Sequence, residues 1–144
     1  MGTHTGTNRS SGTYLAFCFA DVKGYCKVTT YKANGSSDGP FIYTGFLPHW
    51  VMFKRFDGSG SWQIHDRTRE TFNDGSSPTL KADGTDAEFT KNVDFLSNGI
   101  KIRDTSSDLN GSDGQDYFIL AFAEHPLVSS GGHPVTAKWL NHLF

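Results

Sequence analysis

The sequence predicts an all-β domain, two antiparallel sheets packed as a sandwich, with the jelly roll as one form that packing can take. Three observations predict it. Strand-length apolar runs recur along the 144 residues, dense turn signals separate them, and aromatics make up 14% of the chain with 12 Phe. Each aromatic buries a large area, so a few suffice to fill the space between two sheets. The 16 glycines, crowded among Ser, Thr, Asn and Asp, favour short strands and many turns over long helices.

Residues 1–13 are mostly Gly, Thr, Ser and Asn and read as a flexible leader. Residues 14–124 form the expected sandwich, and 125–144 a docking tail. The first strand is expected at residues 14–20 (Tyr-Leu-Ala-Phe-Cys-Phe-Ala), with Leu15, Phe17 and Phe19 on a core face. A second follows at 25–31. Asn34 to Pro40 is a turn, residues 41–46 a strand, and 50–56 the strongest β segment of the chain. Asp57-Gly58-Ser59-Gly60 then turns into residues 61–66. There Trp62 and Ile64 share one face while Ser61, Gln63 and His65 share the other, which reads as a hairpin with a dry side and a wet side.

Residues 67–91 are polar and irregular, a long surface loop or a stretch holding short elements that the pattern does not place. Residues 93–97 and 100–103 flank Asn98-Gly99, a strong hairpin signal. Asn110 to Gly114 turns the chain again, and residues 117–123 close the series of strands. In the tail, Val135, Trp139, Leu140, Leu143 and Phe144 follow Pro134 at roughly helical spacing, so a short helical or extended tail that docks onto something is expected.

Two segments resemble each other. Residues 14–20 and 117–123 (Tyr-Phe-Ile-Leu-Ala-Phe-Ala) share their length, their first Tyr and their final Phe-Ala. Each follows an Asn, Ser, Gly turn and precedes an acid, Asp21 or Glu124. This predicts a repeat unit that ends in this strand, the first copy being the closing strand of a preceding unit.

Net charge is −2 and no segment concentrates Lys and Arg, which argues against a nucleic-acid partner. No apolar run reaches the roughly 20 residues of a membrane span, and the N-terminus has no signal-peptide pattern. Cys18 and Cys26 read as buried thiols, with a cross-strand disulfide left open. None of the six histidines falls in a metal-ligand spacing. His65 and Asp66 are adjacent, so on a strand they point to opposite faces and cannot pair directly. No nucleophile elbow or phosphate loop is present. Asp108, Asn110 and Ser112 alternate like the start of a calcium loop, but Asp113 stands where Gly is needed and no Glu closes the loop. The expectation is therefore no catalytic residue, no metal and no cofactor. Tyr43, Trp62 and His65 are the ligand-binding candidates, because aromatic faces with hydrogen-bonding rims suit sugars. For Trp62 the competing reading is a core residue beside Ile64.

From Tyr14 to Glu124 the sequence resembles an uncharacterised domain of tail-fibre-like and other virion proteins, especially of marine tailed phages. The likeness is carried by Gly24-Tyr25, the run from Asp38 to Phe46, Pro48 with Trp50-Val51-Met52, and Lys54-Arg55. It continues through Trp62, Asp66 with Arg69, the run from Asp94 to Gly99, Lys101 with Arg103, and Tyr117 to Glu124. The resemblance implies a virion structural protein with a β-sandwich fold; the missing catalytic spacings predict that it is non-enzymatic, and the N-terminal pattern that it is made in the host cytoplasm. Its expected partners are other virion proteins, further copies of itself (a trimer favoured) and a host-surface glycan. A tail-fibre or appendage module is expected first and a capsid decoration protein second. A glycan-processing enzyme comes last, for want of an acid pair.

Overall fold

The computed structural model describes residues 9–70 and 72–124. The strands are β1 (Cys26–Lys32), β2 (Phe41–Tyr43), β3 (Pro48–Arg55), β4 (Gln63–Asp66), β5 (Pro78–Lys81), β6 (Phe89–Thr90), β7 (Val93–Leu96), β8 (Gly99–Ile102) and β9 (Asp116–Ala123). They form two antiparallel sheets, a six-stranded one ordered β1-β9-β3-β4-β5-β6 and a three-stranded one ordered β2-β8-β7. Among the described residues there is no helix. The expected docking tail lies outside them.

Side chains alternate across each strand, so one face of each sheet is free to build the core. The larger sheet gives Tyr31, Val51, Phe53, Tyr117, Ile119 and Ala121; the smaller gives Ile42, Val93, Phe95, Ile100 and Ile102. All of them are buried and form one cluster. Strand β9 is central, with Val51 and Lys27 on either side of Ala121, and Phe53 and Thr29 on either side of Ile119. Tyr31 stacks on Tyr117 at 5.2 Å and meets Phe53 edge-on. Their hydroxyls donate to the carbonyls of Leu109 and Ser107, both at 2.7 Å, which fastens the loop before β9 to the core.

The loop of residues 67–77 ties the sheets at one edge. Asn73 lies with positive φ and exchanges two hydrogen bonds with the Phe95 backbone, while the Ser77 hydroxyl does the same with Val93. The buried Glu70 carboxylate accepts the amides of Phe72 and Asn73 and holds that bend. The polar stretch read as a surface loop thus contains β5 and β6 and a set of side chains that imitate strand pairing.

The β7–β8 hairpin is present, shifted by one residue from the expected register. Leu96 pairs with Gly99, so Ser97 and Asn98 make the turn and Gly99 belongs to the strand. Glycine is needed there for close approach: an added Cβ would lie 2.2 Å from the Ile42 carbonyl oxygen on β2.

The expected strand at 14–20 is not formed. Leu15 is 81% exposed and Phe17 77%, so neither faces the core. The reason lies in the next residues. Val22 and Cys26 close a tight turn, the Cys26 amide donates to the Val22 carbonyl, and the Val28 amide donates to the Asp21 carboxylate. The start of the β1 edge is therefore already occupied, by a charged side chain that also pairs with Lys27. On its other side β1 holds β9, the segment's own look-alike. Cys18 is accordingly exposed, Cys26 is buried, and both are free thiols.

A Gly99→Ala variant is expected to lose about 2 kcal/mol or more of unfolding free energy in a denaturant titration, since β2 must move to admit the methyl group. A loss below about 0.5 kcal/mol would show that the β2–β8 contact is loose.

Candidate functional site

The three sequence candidates lie in three different environments. His65 is buried in the core. It pairs with Val51 of β3, and Gln63 pairs with Phe53, so both follow these core residues to the inner face. This reverses the expected orientation of the strand, in which Trp62 and Ile64 faced inward. The outer face of the larger sheet is itself apolar, with Trp50 and Met52 on β3 and Phe118, Leu120 and Phe122 on β9. Ile64 lies opposite Met52 on that outer side, so it finds apolar neighbours without entering the core.

Burial, with the nearby Arg69 charge second, drives the His65 pKa down to about 3. The ring is neutral at ordinary pH. The Thr79 hydroxyl donates to the Ser77 carbonyl at 3.0 Å, which leaves its oxygen to accept from His65 Nδ1–H at 3.4 Å. Nε2 and both polar atoms of the Gln63 side chain are buried without a hydrogen-bond partner. His65 is therefore a sealed structural residue with no route to a ligand, and it leaves the set of binding candidates.

Tyr43 ends β2 and is 63% exposed. It borders a recess of about 400 Å³ that also touches Asp21, Lys23, Lys27 and Gly45, beside the Val22–Cys26 turn. It is remote in character from Trp62, and the fold does not bring the two together.

Trp62 lies just before β4 at the mouth of an open recess of about 540 Å³ lined by Thr30, Lys54, Arg55, Phe56, Gly58, Trp62 and Phe118. Sheet register explains the grouping: Thr30 on β1 and Lys54 on β3 both lie opposite Phe118 on β9, on the outer face. Trp62 and Phe118 meet edge-on at 6.2 Å. The Lys54 ammonium sits 5.8 Å from the Trp62 ring centre and donates to the Gly60 carbonyl. Arg55 is held by Asp57 at 2.7 Å, and Asp57 in turn accepts the Asp116 amide. The carboxyl of Asp57 is lowered chiefly by that Arg55 hydrogen bond. No carboxylate, histidine or cysteine is among the residues that line this recess.

Sequence reasoning missed Phe118 and Phe56. Phe118 sits in a continuous apolar run, where nothing in the pattern tells the inner from the outer face. The stretch from Asp108 to Ser112, which lacks the calcium-loop Gly and Glu, is a clip. Asn110 is buried, accepts the Asn34 amide at 2.8 Å and donates to the Ser36 carbonyl at 2.7 Å, while Asp108 accepts the Ser61 amide. Among the described residues no group of three or more His, Cys, Asp or Glu is placed to hold a metal ion.

These features define a two-sheet all-β domain with an aromatic, cation-rimmed recess on the outer face of its larger sheet. The chain belongs to a family of domains of unknown function, DUF7483, whose model matches residues 1–126. No curated protein and no solved structure matches it.

The neutral His65 makes stability depend on pH. Its folded pKa lies below the 6.5 of a free imidazole, so its contribution is full above pH 6.5 and is lost as pH falls toward 3. Between pH 5.5 and 4.5 this costs about 1 kcal/mol per pH unit. A folded His65→Leu variant should show a slope of unfolding free energy against pH that is smaller by that amount. An unchanged slope would mean that His65 is charged in the native state.

Proposed function

We propose that this chain is a non-enzymatic structural module of a tailed-phage particle, a tail-fibre or appendage piece that contributes to host recognition. The observation that carries the reading is the Trp62 recess. The faces of Trp62, Phe56 and Phe118 suit the C–H surface of a sugar ring, and Lys54 and the Thr30 hydroxyl supply donors for its oxygens. Cleaving a glycosidic bond needs a pair of carboxyl groups. None is among the residues that line this recess, which supports reading it as a place where a saccharide is held. The phage setting rests on the sequence resemblance from Tyr14 to Glu124, collinear over most of the chain.

A head decoration protein is the second reading, favoured by the exposed apolar segment 14–20, which suits contacts between neighbouring subunits. Gold-labelled antibody against the purified protein, applied to particles of the phage that encodes it, separates the two. Label at the tail supports the appendage reading and label over the head the decoration reading; particles that lack the protein overturn both. On an array of bacterial surface oligosaccharides, Trp62→Ala is expected to weaken binding about tenfold, the equivalent of roughly 1.4 kcal/mol. Binding that survives this change at full strength places the saccharide elsewhere.

A further inference from the structure

Residues 10–20 (Ser-Ser-Gly-Thr-Tyr-Leu-Ala-Phe-Cys-Phe-Ala) carry no charge, yet they lie on the surface. Tyr14 is 47% exposed, Leu15 81%, Phe17 77% and Phe19 52%. Phe19 meets Phe122 edge-on at 5.9 Å, and the Tyr14 hydroxyl accepts the Arg9 amide at 2.9 Å. Phe122 also meets Tyr25 at 5.7 Å and Trp50 at 5.8 Å. Through Phe19 the segment 14–20 continues an aromatic corner of the outer sheet face, while Leu15 and Phe17 overhang.

Aromatic side chains bury about 150–250 Å² each, so the exposed parts of these four residues amount to roughly 500 Å². That is the scale of the largest apolar patch on a typical single chain, where such a patch often marks an interaction site. Two copies that each cover this patch on the other would bury about 1,000 Å² or more, the lower bound for a specific interface. We infer that residues 14–20 are the self-association element of this chain, and that their occupant is the same patch of a second copy. The inference stands apart from the phage reading, since it uses only this patch.

Two facts favour a second copy over other partners. The patch itself carries no charge, and Asp21, which follows it, is spent on Lys27 and the Val28 amide, so nothing within the patch selects a charged partner. A patch of one uncharged kind is self-complementary about a twofold axis, which favours a dimer over the trimer expected from the sequence. Strand addition to the start of β1 is not the mode, because the Cys26 and Val28 amides are already bonded. The contact is made by side chains.

The chain supplies its own probe. Cys18 is exposed on the segment, and Cys26 is buried. Light scattering over a dilution series of the full chain should give the mass of two chains at high concentration, and a short bismaleimide should link copies through Cys18. Phe17→Asp and, separately, Leu15→Ser should raise the dimer Kd about tenfold or more and abolish the crosslink. Their monomers should melt within a few degrees of wild type, because neither side chain is in the core. Phe56→Asp, at an exposed apolar residue of the other recess, should leave the dimer intact. A wild-type monomer at every concentration overturns the inference. So does a dimer that survives both variants, or a monomer that instead binds zwitterionic lipid vesicles through Phe17. A Phe17→Asp or Leu15→Ser chain that fails to fold also overturns it, by showing that the segment belongs to the core.

Discussion

The structure depends on β9 being held on both edges at once. Its seven-residue ladder to β1 and its nearly equal ladder to β3 carry the middle of the larger sheet. Its inner side chains, Tyr117, Ile119 and Ala121, are fully buried. Because β9 comes last among the described strands, β1 and β3 have no common partner until it arrives. The core between the sheets closes only when the end of the domain is in place. Long-range pairing of this kind makes folding slow relative to local hairpins, since loop closure precedes the contacts that reward it.

The same strand shapes both surfaces of the sheet. Its inner face packs on the smaller sheet, while its outer face presents Phe118 to the Trp62 recess and Phe122 to the aromatic corner under Phe19. One alternating strand therefore links the core, the candidate saccharide recess and the proposed contact between copies. Phe118 and Phe122 lie toward opposite ends of β9, on the same outer face.

Much of the fold was legible in the sequence. The strands around Tyr31, Val51–Phe53, Phe95, Ile100 and Tyr117 fall where apolar runs and turn signals put them. Facing was harder to read. His65 and Gln63 lie inside because cross-strand pairing with Val51 and Phe53 overrides polarity, and Trp62 lies outside because the outer face is apolar too. A one-dry-face model of the hairpin cannot express that. Nor can a local pattern tell which of two similar segments occupies the central slot: residues 14–20 read as well as 117–123, yet they form no strand, so the expected repeat loses the paired strand it called for. Of the site, Trp62 was visible as a residue type. Phe118 was hidden inside a run that alternation could not split.

Amide hydrogen exchange tests the central role of β9 most directly, at a dilution where the chain is monomeric. The amides of Tyr117 to Phe122 should exchange only through global unfolding, with a free energy equal to that from denaturant titration. Those of residues 14–20 should exchange nearly as fast as in an open chain. If β9 opened at lower free energy than β3 or β4, or if residues 14–20 were as protected as β9, the last strand would not be the one that holds the fold together.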